Sequence, residues 1–366
     1  MRAAKLIIRI VLSLGLSALF VWLSLRHTDL RSVVRNIASA DPNRVGLYLL
    51  LLLSVHLIRT VRWGILLEPF GHVGFRRLNA SSAVGFMLLI LLPLRLGEFG
   101  RPFAIAQPPA GGGVRIRRSS AMASCVVERI VDGIAIGLLG IVALRMLGST
   151  ATGRNAAFAR SASVAVAAGF GALCVVLVFT LFQHARALRI ARRLLTPISP
   201  KLAERAVGMM DAFLGSVHVG SGWSAAVFFL LTGLYWGTNA FGLWLLGPAF
   251  GIELTPLMAA TVLAVQVVGV MVPAGPGMVG TMSYFTAIGV SLFVPSALVD
   301  GSPMANQVAA YANTIWLMQF GVQLCLGLFF LAYSHLTLKG LFSFSGSEPG
   351  EEAAADASRA TAGNAA

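Results

Sequence analysis

Hydrophobic residues in this sequence form long runs of about 20 positions with few polar residues inside them. A helix of that length crosses a hydrocarbon core of roughly 30 Å, and a soluble fold has no use for repeated runs of this kind. Six runs are long enough for a full crossing: residues 6–25, 45–67, 119–147, 161–182, 224–246 and 308–334. The pattern predicts an all-α, polytopic integral membrane protein, in which the first run stays as a span because no small-x-small cleavage motif precedes Arg26.

Three further apolar runs, at residues 80–96, 257–272 and 282–294, are short for a full crossing. Each lies next to a Pro/Gly break or to charged residues, which is typical of broken or re-entrant helices. The run at residues 80–96, extended to Arg101, predicts one re-entrant helical hairpin. The other two flank the turn from Pro273 to Gly280 and predict a second hairpin.

The distribution of arginine predicts the orientation. Residues 184–205 are rich in arginine, as are the segments around Arg76 and Arg117, and short basic loops lie on the cytoplasmic side. Both termini are then cytoplasmic, in the cell membrane. Four arginines in the first predicted outer loop break this rule: Arg26, Arg31, Arg35 and Arg44.

The order span, hairpin, span in residues 45–147 recurs with opposite orientation in residues 224–334. Inverted repeats of this kind are typical of transporters, whose substrates bind where broken helices meet. We expect a membrane domain over residues 1–342, with halves at 1–150 and 151–342 joined by an interfacial amphipathic segment at 185–220. Residues 343–366, rich in Gly, Ala, Ser and Glu, predict a disordered cytoplasmic tail.

Composition supports the membrane assignment and narrows the partners. Hydrophobic residues make up 57% of the chain and charged residues 11%, against roughly 45–50% and about 25% in soluble domains. The net charge is +14, but the arginines lie in short loops and at span ends, which favours anionic lipid headgroups over nucleic acid. The cysteines and histidines form no metal-binding motif, so we expect no metal or cofactor.

Ionisable residues inside apolar runs cost roughly 2.5–3.5 kcal/mol each on insertion scales, so each one suggests a functional role. Arg95, Glu98 and Arg101 are spaced i, i+3, i+6, so that the glutamate can bridge both arginines on one helical turn. One positive charge then remains, which suits an anionic headgroup. The alternative is a structural salt bridge at the membrane edge.

A second acidic pair follows in the next span. Glu128 and Asp132 lie at i, i+4 on one helix face, with Arg129 beside them. They can pair with Arg59, Arg62, Arg95 or Arg101, or relay protons, and structural pairing is the commoner outcome. Arg59 and Arg62 near the inner end of their own span can contact a substrate or extend towards the interface.

The turn Pro273–Gly280 contains a G-x-G-x-x-G pattern, but it follows an apolar membrane segment and no βαβ unit, which excludes a dinucleotide site. Pro276, Gly277 and Gly280 can expose backbone N–H groups and a helix N-terminus to an anion. A tight turn with close packing is the equal alternative.

Four motifs together resemble the flippase-like family typified by the membrane region of lysylphosphatidylglycerol synthases. They are His56-x-x-Arg59-x-x-Arg62-Trp63, Gly97-Glu98-Phe99-Gly100-Arg101, Glu128-Arg129-Ile130-Val131-Asp132 and Pro276-Gly277-Met278-Val279-Gly280. The resemblance implies a role in lipid translocation or lipid-linked glycan assembly. Ser283 stands where the family often has an acidic residue, which weakens any proton-coupled role for that position. No soluble aminoacyl-transferase domain follows the motifs, so synthesis of lysyl-lipid is not implied.

The preferred hypothesis is translocation of an anionic lipid or a polyprenyl-phosphate-linked substrate. The expected binding residues are Arg59, Arg62, Arg95, Glu98, Arg101, Glu128, Arg129, Asp132, Pro276, Gly277 and Gly280. One alternative is a membrane-embedded lipid-modifying enzyme with Glu98, Glu128 or Asp132 as general base. Another is a non-catalytic scaffold for lipid-modifying or glycan-assembly enzymes. The sequence does not indicate the headgroup, the energy source or the oligomeric state.

Overall fold

The computed structural model describes residues 15, 18–26, 28–92, 97–108, 113–147, 153–197, 199–200, 204, 207, 211, 222–271, 275–299, 301–334 and 336. All regular structure in this part of the chain is helical. In chain order the helices are α1 (Leu30–Ala38), α2 (Pro42–Leu67), α3 (Phe75–Leu91), α4 (Gly100–Ile105), α5 (Arg118–Leu147), α6 (Gly153–Phe182), α7 (His184–Leu195), α8 (Gly222–Leu246), α9 (Pro256–Val270), α10 (Thr281–Ser291) and α11 (Pro303–Tyr333). Residues 18–25 are also helical.

Within the described part of the chain, four long helices are apolar enough to cross a membrane: α2, α6, α8 and α11. They correspond to four of the six predicted spans. A fifth, α5, has 30 residues but carries Glu128, Arg129 and Asp132 near its middle. The first predicted span lies largely outside the described residues, as does the predicted tail. The all-helical class is therefore confirmed, and the number of crossings stays a prediction.

The first hairpin consists of α3 and α4, which run in opposite directions. A Cβ on Gly85 would lie 2.6 Å from the backbone nitrogen of Arg101, and Leu88 contacts both Gly97 and Gly100. At the open end, Arg77 donates hydrogen bonds to the carbonyl oxygens of Ile105, Gln107 and Val114, at 2.6, 3.0 and 2.7 Å. The end of α4 thus returns to the level where α3 begins.

The second hairpin consists of α9 and α10 and is also closed by glycines. Gly269 packs against the ring of Phe285, and a Cβ on Gly289 would lie 2.9 Å from the Cα of Val262. Between these contacts, Gln266 Nε2 donates to Thr286 Oγ1 at 2.7 Å. Close approach of the two helices leaves no room for larger side chains at these positions.

The turn of the second hairpin needs glycine for two reasons. Gly277 and Gly280 have φ angles of 73° and 77°, where L-residues are strained. A Cβ on Gly280 would also lie 2.6 Å from the carbonyl carbon of Phe20, because the helix of residues 18–25 packs against this turn. Trp316 of α11 donates its indole N–H to the carbonyl of Gly277 at 2.8 Å. Residues 272–274 lie outside the described part.

Helices from residues 1–150 pack against helices from residues 151–342 in a reciprocal arrangement. Helix α2 packs on α8; the first hairpin's α3 packs on α11, and the second hairpin's α9 packs on α5. Each hairpin therefore packs against the last long helix of the other half of the chain. The main apolar core, which includes Tyr48, Leu243 and Tyr311, lies between them.

Two amphipathic helices flank the long ones. The sequence patterns did not separate α1, whose Val33 is buried and which packs on α11. Asp29 caps α1, and hydrogen bonds from the Ser32 hydroxyl and from the backbone N–H groups of Arg31 and Ser32 hold its pKa below the usual value. Helix α7 forms the described start of the predicted interfacial segment, with Arg186, Arg189, Arg192 and Arg193 exposed.

Replacing Gly85 with alanine should destabilise the first hairpin, because the added methyl group must displace the backbone of Arg101. Overpacking of this kind costs about 1–3 kcal/mol. We expect a lower unfolding temperature for purified protein in detergent. Gly169→Ala on α6 is the matched control, since no atom lies within 4 Å of the added group. Equal melting of both variants would contradict the packing described here.

Candidate functional site

The centre of the described structure contains a buried ion network made of Arg62, Arg101, Glu128 and Asp132. Arg62 of α2 is completely buried, and its two terminal nitrogens contact both oxygens of Asp132 at 2.6 and 2.8 Å. One of them also donates to Glu128 Oε1 at 2.7 Å. Such bidentate, charge-assisted contacts are the strong geometry for a guanidinium and a carboxylate.

The network also holds the first hairpin. Arg101 Nη1 of α4 donates to Glu128 Oε2 at 2.7 Å, so Glu128 lies between the two arginines. The sequence allowed both Glu98 and Glu128 as carboxylate partners of Arg101, and the structure shows the contact with Glu128. Pairing of Glu128 and Asp132 with arginines from other segments, the commoner outcome expected from the sequence, is confirmed. With two arginines and two carboxylates the network is neutral.

A cavity of about 210 Å³, the central cavity, lies beside the network between the two hairpins. Leu89 and Glu98 of the first hairpin segment and Val270 and Gly277 near the second turn line opposite sides of it. The other charged side chains in its wall are Arg59, Arg129 and Asp132. Helices α8 and α11 complete the wall with Tyr235, Trp236, Asn239, Trp316 and Gln319.

Arg59 differs from the other arginines of this region. No carboxylate of a described residue lies within 4 Å of its guanidinium, and its Nε is buried without a hydrogen-bond partner. The guanidinium lies 3.7 Å from the ring centre of Phe86 and 5.6 Å from that of Tyr235. Aromatic faces favour the cation but supply no hydrogen-bond acceptor in the ring plane.

The cavity contains other polar atoms without partners among the described residues. The indole N–H of Trp236 is a buried donor, and Gln323 Oε1 is a buried acceptor. Both residues line the cavity. Gln323 is a polar residue within an apolar run, where interhelical hydrogen bonding is the default role and cavity lining the rarer one. Trp236 has no such signal, because a tryptophan in an apolar run does not reveal whether its N–H has a partner.

The predicted site residues fall into separate groups. Arg59, Glu98, Arg129, Asp132 and Gly277 line the central cavity. Arg62, Arg101 and Glu128 lie behind it in the network, while Pro276 and Gly280 belong to the turn. Arg95 lies outside the described residues. The described residues contain no cluster of His, Cys, Asp or Glu suited to a metal.

The charges of the network and cavity do not cancel. Four arginines (Arg59, Arg62, Arg101 and Arg129) face three carboxylates (Glu98, Glu128 and Asp132) among the described residues. Among these arginines, Arg59 lines the cavity and has no carboxylate of a described residue within 4 Å. The arrangement can therefore accept one anionic group.

The family model described as "Lysylphosphatidylglycerol synthase TM region" matches residues 10–302. The chain belongs to this family. The match covers all members of the ion network and both hairpins, so the resemblance inferred from the four motifs is confirmed. The family is a membrane domain associated with lipid handling, and the chain is a membrane protein. No curated protein and no solved structure matches the chain.

Replacing Glu128 with glutamine should destabilise the protein strongly, because Arg101 loses its carboxylate while remaining buried. Breaking a buried ion pair from one side costs about 3–5 kcal/mol. Arg44→Gln is the control, since the Asp41–Arg44 pair at 3.5 Å has side chains 41% and 43% exposed and should change stability by less than about 1 kcal/mol. Denaturation in detergent measures both, and similar midpoints would contradict a structural role for the network.

Proposed function

We propose that this protein translocates an anionic lipid, whose headgroup binds in the central cavity to Arg59 and Arg129. The observation that carries the proposal is the position of Arg59, which lines a cavity between two hairpins without a carboxylate partner. This assignment reduces the larger set of arginines expected from the sequence to the two that reach the cavity.

The free-energy cost of burying a guanidinium explains why an anion suits this site. A guanidinium removed from bulk water is unfavourable unless it is paired and hydrogen-bonded. Phe86 and Tyr235 offset part of that cost, and the Nε of Arg59 remains without an acceptor. A phosphate in the cavity would offer acceptor oxygens to the Arg59 guanidinium, and Trp236 supplies a further N–H donor among the residues of the same wall. The positive cavity would thus recognise the charge of the headgroup.

Arg62 and Arg101 play a different part in this proposal. Their ion pairs with Glu128 and Asp132 neutralise the positive charge that would otherwise attract an anionic headgroup. The same contacts argue against Glu128 and Asp132 as the general base of the enzyme hypothesis, because a carboxylate that accepts hydrogen bonds from guanidinium groups is a poor general base. We assign these residues to positioning α2, α4 and α5 around the cavity.

The hairpins provide a route across the membrane. The opposed legs of each hairpin and the reciprocal packing of α3 on α11 and of α9 on α5 support re-entrant segments related as an inverted repeat. One hairpin would then enter from each side of the cell membrane, with both termini in the cytoplasm. Leu89 and Glu98 of the first hairpin segment and Val270 of the second line the central cavity, so small movements of either hairpin would expose the headgroup to one side or the other.

Replacing Arg59 with glutamine should slow headgroup movement by at least about tenfold, the effect of losing roughly 1.4 kcal/mol of stabilisation in the rate-limiting state. The assay measures how fast a fluorescent anionic lipid becomes accessible to a quencher in proteoliposomes. Folding should be unaffected, because Arg59 has no ion pair to lose among the described residues.

Arg145→Gln at the exposed end of α5 is the matched control and should move the lipid at the wild-type rate. A wild-type rate for Arg59→Gln, with the wild type clearly above empty liposomes, would contradict this binding role. No movement by the folded wild type with several anionic lipids would contradict translocation itself.

A further inference from the structure

A second space, which we call the lateral groove, lies between the first hairpin and helices α5 and α6. Its volume is about 360 Å³. Most of its wall is apolar and includes Phe99, Pro102, Met122, Val126, Ile130 and Leu173. A groove of this lining suits a hydrocarbon chain.

The groove reaches the outer surface of the helical bundle. Phe99, Val126 and Leu173 in its wall are 44%, 40% and 52% exposed. In a membrane protein, apolar side chains on the outside of long helices face lipid tails. A chain in the groove would therefore lie in continuity with the surrounding bilayer.

At its inner end the groove adjoins the central cavity. The two spaces share the lining residues Leu89, Glu98, Arg129 and Phe170. Arg101 also lines the groove, is 5% exposed, and has its Nε and Nη2 atoms buried without partners among the described residues. Apolar walls thus lead from the bundle surface to a charged inner end.

We propose that the lateral groove holds the hydrocarbon chain of the translocated lipid while the headgroup lies in the central cavity. This inference rests on the proposed function and adds the substrate class. Pockets for drug-sized ligands measure roughly 300–1,000 Å³, whereas the central cavity has about 210 Å³. The size suits one phosphate with a small substituent. The substrate class is accordingly a lipid with a small, singly phosphorylated headgroup in preference to one that carries an oligosaccharide.

Photocrosslinking of the full chain in nanodiscs tests the groove. One probe is phosphatidylglycerol with a diazirine in the middle of an acyl chain, and a second carries the diazirine on the headgroup. We expect the chain probe to label α6 around Leu173. Val126→Trp, which fills the groove from α5, should lower that labelling at least about tenfold. Val142→Trp is the matched control, because Val142 is 51% exposed on the same helix outside the groove, and it should leave the labelling unchanged.

The two probes distinguish a wrong groove assignment from a wrong headgroup site. If Val126→Trp leaves labelling near Leu173 unchanged while the headgroup probe still labels α8 around Trp236, the groove assignment is wrong and the proposed headgroup site stands. If the headgroup probe does not label the central cavity of the wild type, both proposals fail. Should Val126→Trp not fold, Leu173→Trp fills the groove from α6 and the labelling is measured around Phe99, with the same criterion.

Discussion

Burial of Arg62 between Glu128 and Asp132 is the constraint on which the rest of the structure depends. Each of these ions costs several kcal/mol to remove from water, and the cost is offset only when every charge has a partner in good geometry. Glu128 satisfies this requirement by contacting Arg62 and Arg101 together. The network therefore ties α2 and α4 to α5, and the position of the first hairpin follows from it.

That constraint separates the paired arginines from the one that we propose binds the headgroup. Arg59 and Arg62 are three residues apart on α2 and point from neighbouring turns of one helix face. Arg62 is enclosed by carboxylates, whereas Arg59 lies against Phe86 and Tyr235 beside the central cavity. A difference of one helical turn thus decides which guanidinium is available to an anion. In the proposed function, the paired charges position the helices around the cavity and Arg59 makes the cavity selective for an anion.

Much of the architecture was predictable because membranes restrict the solutions. Apolar runs of span length predicted α2, α6, α8 and α11, and the Pro/Gly breaks predicted both hairpins. The partners of Arg62 and Arg101 were within the set that the sequence allowed, but the sequence did not select among them. Residues 27 and 66 positions apart had to be brought together by the fold before the true partners were visible.

Other features had no clear sequence pattern. Helix α1 is short, and its arginines look like loop residues until Val33 is seen packed beneath it. Trp236 resembles any other aromatic residue in a span, and the lateral groove exists only where α3, α4, α5 and α6 meet. These features arise from packing between distant segments, which periodicity along the chain does not record.

The central claim is that Arg59 receives an anionic lipid headgroup while the buried ion network stays intact. An electron cryo-microscopy structure of the protein in nanodiscs that contain phosphatidylglycerol tests it most directly. The account predicts phosphate density in the central cavity at roughly 2.7–2.9 Å from Arg59 nitrogens, with Arg62 and Arg101 still bound to Glu128 and Asp132. A structure in which Arg59 instead pairs with a carboxylate, and no lipid occupies the cavity, would contradict it.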